Sequence, residues 1–196
     1  MAQVATTVDH FLIGVDNYTA APYQKNGNNK LGGYKNRNQY CWEAVQYSSL
    51  SSIPAGSTIT AVDMSVHINS YNSSNTSAFN IDVRTQDKGS WADNGVDEPS
   101  RTMPAFFDSA VEYTEILSYA PVPIQPAGAV DLTVNIPSTT QIVSKFQGWL
   151  DGTITNDGYL ITYYPEHFSH YIIADAISYT ITYDPPSGGR RRLMIM

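Results

Sequence analysis

Residues 50–64 read Leu50-Ser-Ser-Ile-Pro-Ala-Gly-Ser-Thr-Ile-Thr-Ala-Val-Asp-Met64, and this stretch joins a turn to the clearest strand of the chain. Pro54 restricts φ and Gly56 tolerates a positive φ, so we expect a tight turn before the strand. From Val62 onward, apolar and polar residues alternate. This period of two predicts a strand over residues 58–69 with one buried face.

The chain on either side of this stretch also favours strands. Its 14 tyrosines and many threonines fit the pleated surface of a sheet. Residues 24–38 are rich in Gly and Asn and are predicted to form a loop. Further strands are predicted at residues 10–15, 40–47, 78–85, 111–119, 129–136, 158–164 and 176–183.

One short helix is predicted over about residues 139–151. Pro137-Ser-Thr139 supplies a start signal, and Gly152 lies where a helix would end. Apolar residues recur at helical spacing between them, at Ile142, Val143, Phe146, Trp149 and Leu150. One short helix among about eight strands is typical of an all-β jelly-roll sandwich, in which the helix plugs an open end of the core.

Three segments, taken in order, resemble a known family of β-sandwich modules. They are the turn and strand at residues 50–64, the loop Gly89-Ser-Trp-Ala-Asp-Asn-Gly-Val96, and the helix with its following loop over Phe146–Leu160. Over about residues 9–184 the sequence is similar to the DNRLRE-type domain. The resemblance implies a jelly-roll fold and binding of polysaccharide, as in the alginate-binding modules attached to larger secreted proteins.

Composition and charge exclude several function classes. Three of the 11 basic residues are Arg190–Arg192, so residues 1–189 carry 8 basic and 18 acidic groups, a charge of −10. This charge repels phosphate backbones, and we expect no nucleic-acid binding by the sandwich. The sequence has no run of roughly 18 apolar residues, so we expect no membrane span. It also lacks a nucleophile elbow and a phosphate loop, and we predict that the protein is not an enzyme.

A candidate cation site overlaps the end of the second of the three motifs. Carboxylate and amide oxygens, the ligands that Ca²⁺ prefers, lie close together there at Asp93, Asn94, Asp97 and Glu98. Their spacing is not that of an EF-hand loop, and the alternative is a solvated acidic loop. We expect no cofactor other than this calcium ion.

Aromatic residues supply candidate contacts for a glycan. Tyr and Trp rings combine an apolar face with a polar edge, which suits them to stacking on sugars. The alternative is structural, with Trp91 a buried pin of its loop and the tyrosines ordinary strand residues. The candidate glycan contacts are Trp91, Tyr163 and Tyr164.

The predicted sandwich, residues 1–184, is followed by a segment of different character at residues 185–196. It begins with the linker-like Pro-Pro-Ser-Gly-Gly and continues as Arg190, Arg191, Arg192, Leu193, Met194, Ile195 and Met196. Burial of the apolar residues contributes roughly 25 cal/mol per Å², and the arginines suit acidic groups of a neighbour. We predict a docking tail, with a disordered segment as the alternative.

Two functions stay open. The first is a structural protein of a virus particle, a tailed-phage capsid decoration or a head or tail appendage subunit. It would dock through its tail onto other virion proteins or copies of itself. The first 20 residues do not pair a basic segment with an apolar run, and Cys41 is the single cysteine. These features favour a protein made in the host cytoplasm and located on the virion. The alternative is an extracellular carbohydrate-binding module that recognises a polysaccharide.

Overall fold

The described part of the chain forms antiparallel strands and one α-helix. The computed structural model describes residues 1–7, 10–16, 21–25, 30–34, 39–45, 50–71, 79–85, 115–123, 126–156, 158–164 and 171–186. The strands are β1 Ala2–Thr7, β2 His10–Asp16, β3 Ala21–Lys25, β4 Lys30–Tyr34, β5 Gln39–Val45, β6 Thr58–Tyr71, β7 Phe79–Thr85, β8 Ile116–Val122, β9 Gly128–Ile136, β10 Tyr159–Tyr164 and β11 Tyr171–Asp184. Helix α1 spans Thr140–Asp151, and a 3-10 helix spans Leu50–Ser52.

Eight strands form a continuous path in the order β8-β7-β10-β5-β4-β11-β6-β9. The two ends of this path, β8 and β9, contact each other, so the path is folded into two layers. We call β4-β11-β6-β9 sheet one and β5-β10-β7-β8 sheet two. Successive strands from β4 to β11 cross between the sheets, except at the β7–β8 hairpin, and all pairs are antiparallel. This arrangement is the jelly-roll sandwich that the sequence predicts.

Three further strands extend this framework. β1 pairs with the second half of β11, which places it beside β4 on the same edge of β11. β2 pairs with β5 along its whole length, and β3 pairs with β2. The added strands lengthen both sheets without changing the jelly-roll order.

β6 has the alternation that its sequence predicts. Val62, Met64, Val66 and Ile68 are buried in the core that lies between the sheets. The strand continues past the predicted end at residue 69 to Tyr71. Opposite β11, Thr60 is an extra residue between the pairs Ile59–Tyr183 and Ala61–Thr182. This bulge lets Ile59 and Val62 both face the core although they are three residues apart.

Helix α1 occupies the predicted position and closes one end of the core. Thr139 caps it by accepting a hydrogen bond from the Ile142 amide at 3.2 Å, and Gly152 ends it with φ of 69°. The Phe146 ring lies 6.3 Å from that of Tyr159 in sheet two and 5.7 Å from that of Tyr179 in sheet one. The helix therefore contacts both sheets, as a plug of the sandwich must.

The predicted loop over residues 24–38 is wrong where β4 lies. Lys30–Tyr34 pairs with β5 on one side and with β11 on the other. Its Leu-Gly-Gly sequence has little intrinsic preference for a strand. Pairing on both sides gives its backbone groups hydrogen-bond partners, and this tertiary context overrides the local composition.

Candidate functional site

Most of the predicted site residues lie outside the part of the chain that the structure describes. These are the docking tail Arg190–Met196, the candidate glycan contact Trp91, and the candidate calcium ligands Asp93, Asn94, Asp97 and Glu98. Among the described residues, no group of three or more His, Cys, Asp and Glu could hold a metal ion. No described helix is long and apolar enough to cross a membrane.

The two candidate glycan contacts on β10 have different partners in the neighbouring strand. The register of β10 and β7 aligns Tyr163 with Ile81 and Tyr164 with Asn80. Ile81 is fully buried, whereas Asn80 is partly exposed. The backbone therefore places Tyr163 in the row of a core residue and Tyr164 in the adjacent row.

A pocket of about 550 Å³ lies at the end of the sandwich that α1 closes, and we call it the helix-end pocket. One side is the segment that precedes β6, and the other is the last turn of α1 with the loop that follows. Its floor is apolar and belongs to the core, while its rim is exposed. The lining residues include Leu50, Ile53, Ala55, Trp149, Leu150 and Asn156.

The first wall is built by the turn that the sequence predicts. The Ile53 amide donates to the Leu50 carbonyl at 2.8 Å, and the Ser57 amide donates to the Pro54 carbonyl at 3.1 Å. Gly56 has φ of 79°, which is the conformation that the third position of a type II turn requires. Two consecutive turns therefore fix the wall and leave Ala55 exposed at its tip.

Gln147 fastens the second wall to the first. Its side-chain oxygen accepts from the Ile59 amide at 2.7 Å, and its side-chain nitrogen donates to the Ser57 carbonyl at 3.2 Å. The same nitrogen lies 3.0 Å from a carboxylate oxygen of Asp151. Because one side chain bonds two backbone groups at the start of β6, the helix and the turn are held in one relative position.

The chain leaves the sandwich beside this pocket. β11 ends at Asp184, and a Cβ placed on Gly56 would lie 3.6 Å from the Cβ of Pro186. Pro186 thus lies next to the turn that forms the first wall. The described part of the chain therefore ends beside the pocket, although the sequence alone gave no sign of this proximity.

A buried ion pair lies on the outer face of sheet two, away from the core. The guanidinium of Arg84 lies 2.8 Å from the carboxylate of Asp82, and their side chains are 11% and 3% exposed. Burial raises the pKa of Asp82, while the hydrogen bond and charge of Arg84 act in the opposite direction. Sequence analysis missed this pair, although both residues alternate with the core residues Ile81 and Val83.

The outer face of sheet one is polar. His67 Nε2 and Asp131 Oδ1 lie 2.9 Å apart across β6 and β9. The hydroxyls of Ser65 and Ser178 lie 2.7 Å apart across β6 and β11. Strands β1, β6, β9 and β11 contain no lysine or arginine. This face is therefore hydrogen-bonding and free of cationic side chains over these strands.

No family model matches this sequence, and a search among curated proteins found no match. The similarity to the DNRLRE-type domain therefore stays a prediction that rests on three short motifs. A proposal about function therefore rests on the geometry of the helix-end pocket and of the two outer faces.

Proposed function

We propose that this protein is a non-catalytic structural subunit of a virus particle, a tailed-phage capsid decoration or a head or tail appendage protein. The observation that carries the proposal is the position of Pro186, four residues before the predicted docking tail, beside an open pocket at the plugged end of a jelly-roll sandwich. Jelly rolls are an architecture of capsid subunits. A tail that leaves such a subunit at one end is suited to attach it to its neighbours.

The charge distribution supports attachment through the tail. Residues 1–189 carry −10, while the tail carries three arginines and no acidic residue. Opposite charges on two surfaces steer association and fix the orientation of docking. The apolar residues that follow the arginines would be buried on docking. Their removal from water supplies affinity and does not depend on a precise orientation.

The polar outer face of sheet one supports the outward orientation of the sandwich. Hydroxyl, imidazole and carboxylate groups on this face bond to one another, and strands β1, β6, β9 and β11 contain no lysine or arginine. A face of this kind stays soluble when it covers a particle. In this account the other virion proteins, or further copies of this chain, contact the tail end.

Sedimentation velocity of the full-length chain and of a chain that ends at Pro186 tests this proposal. We expect a defined oligomer for the full-length chain and a monomer for the shorter one. Circular dichroism of both should be the same, because the shorter chain keeps every described strand. A monomer in both cases, with unchanged profiles, would contradict the proposal.

One observation favours the alternative of an extracellular carbohydrate-binding module. Tyr119 of β8 is 57% exposed on the outer face of sheet two, aligned with Asp82 of the buried ion pair. An exposed tyrosine ring offers an apolar face and a hydroxyl, which suits it to stacking on a sugar. If the protein is a carbohydrate-binding module, a polysaccharide gel should retain it, and Tyr119→Ala should abolish this retention. Ile116→Ala is the matched control, since Ile116 is exposed on the same strand but has no ring. Free passage over a broad glycan panel would exclude it.

A further inference from the structure

We infer that the helix-end pocket binds the apolar residues Leu193–Met196 of a second copy of this chain. The inference rests on the proposed function, because it names the receptor of the docking tail. The contact is reciprocal: the tail of each copy binds in the helix-end pocket of the other.

The pocket has the size and surface that such a segment needs. Its volume of about 550 Å³ lies within the range of roughly 300–1,000 Å³ that ligand pockets span. Leu50, Ile53 and Trp149 form its floor and are less than a tenth exposed. An apolar floor, with Ser51 and Asn156 as the polar residues among the lining, suits a short apolar segment flanked by charged residues, which is the composition of residues 190–196.

The electrostatics at the rim suit the three arginines. None of the described residues that line the pocket is a lysine or an arginine, and the Nζ of Lys145 lies 6.0 Å from the centre of the Trp149 ring. Asp151, next to the lining residue Leu150, is exposed at the C-terminal end of α1. That end of a helix carries the negative pole of its dipole and attracts cations. If Leu193–Met196 fills the pocket, the preceding arginines lie at this rim.

The exit of the chain favours a partner copy as the source of the segment. Pro185 and Pro186 keep the chain extended where it passes the first wall. The six residues from Ser187 to Arg192 can span up to roughly 20 Å, which is long enough for Leu193 to reach the pocket of a facing copy. Because the exit and the pocket lie side by side on one surface, two facing copies can exchange tails about a two-fold axis. Such an interface is isologous and closes as a dimer.

The direct test is the binding of a labelled synthetic peptide, residues 187–196, to the chain that ends at Pro186. We expect saturable binding by fluorescence anisotropy. Ala55→Arg places a bulky positive charge on the exposed tip of the wall and should weaken binding at least about tenfold. Ala129→Arg is the matched control and should change nothing. Ala129 is also exposed, and it pairs with Ser70 near the far end of β6, roughly 40 Å away.

The outcomes separate this inference from the proposed function. No peptide binding, together with a full-length oligomer that Ala55→Arg leaves intact, overturns the pocket as receptor but not the docking role of the tail. If the shorter chain binds the peptide while the full-length chain is monomeric and does not, the pocket holds its own tail, and the second copy is wrong. A monomeric full-length chain with no peptide binding to either form overturns both.

Discussion

Gly148 lies in the last turn of α1 at a position where any side chain would collide with Ile154, although glycine weakens a helix. A Cβ on this residue would lie 2.5 Å from Cδ1 and 2.8 Å from Cγ1 of Ile154. The Gly148 carbonyl accepts hydrogen bonds from the amides of Thr153 and Ile154, at 3.0 and 3.2 Å. The chain after Gly152 thus folds back over the last turn and covers Gly148.

We expect Gly148→Ala to lower the free energy of unfolding by about 1–3 kcal/mol, because the new methyl group overpacks the contact with Ile154. Alanine is the better helix former by about 1 kcal/mol, and this gain should appear once the clash is removed. In an Ile154→Ala background, the same substitution should therefore be neutral or stabilising. Urea denaturation of the four proteins measures both effects. Equal losses in the two backgrounds would contradict the packing explanation.

At the Asp82–Arg84 pair, the guanidinium of Arg84 offsets the cost of burying the Asp82 carboxylate, so we expect its removal to change the free energy of unfolding. Arg84→Met leaves the Asp82 carboxylate buried without the guanidinium beside it, and we expect a loss of about 3–5 kcal/mol at pH 7. Burial already raises the pKa of Asp82, and removing Arg84 removes an influence that lowers it. The folded state then binds the proton more tightly than the unfolded state, so stability is regained as pH falls.

Denaturant titrations at pH 7 and near pH 4 measure this recovery. The double variant Asp82→Asn with Arg84→Met is the matched control, since it has no carboxyl to protonate at this site. The loss in its free energy of unfolding, relative to the parent protein, should change little between the two pH values. If Arg84→Met lowers the free energy of unfolding by the same amount at both pH values, the buried Asp82 carboxylate is not the cause of the loss.

At the scale of elements, α1 is fastened to both sheets by polar contacts around its two ends. The Ser138 hydroxyl accepts from the Val62 amide in sheet one at 2.9 Å. The Ser118 hydroxyl in sheet two donates to the Pro137 carbonyl at 2.6 Å, and Thr139 donates to the Leu117 carbonyl beside it. Gln147 holds the other end of the helix, so the plug has fixed points at both ends.

Gln147→Ala removes a donor and an acceptor that satisfy backbone groups of Ser57 and Ile59. We expect it to lower the free energy of unfolding by about 1–3 kcal/mol, the cost of leaving such groups without partners. Gln141→Ala makes the same change at an exposed position of the same helix and should stay within about 0.5 kcal/mol of the parent. Thermal or urea denaturation compares them. Similar small effects of both would show that Gln147 does not fasten the helix.

The elements that were predicted correctly are those whose sequence pattern lies wholly within the element. α1 has both caps and its apolar face within Thr139–Gly152, and β6 has its alternation within one strand. β4 could not be predicted, because its pairing partners are distant in sequence and its own composition favours a loop. The same reason hid the helix-end pocket. Its turn and Trp149 were each identified, but Gln147 and the Ser57 carbonyl that join them are 90 residues apart.

At the scale of the whole molecule, the described part of the jelly roll has one end closed by a helix and two unlike outer faces. One end holds α1, the helix-end pocket and the exit of the docking tail. The outer face of sheet one is polar, and that of sheet two buries an ion pair. If the tail attaches the subunit at this end, as we propose, the polar face of sheet one is left to solvent. The central claim is that this end binds the tail of another copy.

Mixing two variants that each lack one half of the contact tests this claim most directly. Full-length Ala55→Arg has a tail but an obstructed pocket, and the chain that ends at Pro186 has an open pocket but no tail. Native mass spectrometry should find each alone as a monomer, and their equimolar mixture as a complex of one copy of each. A mixture that stays monomeric, while the unmodified full-length chain dimerises, would contradict the account.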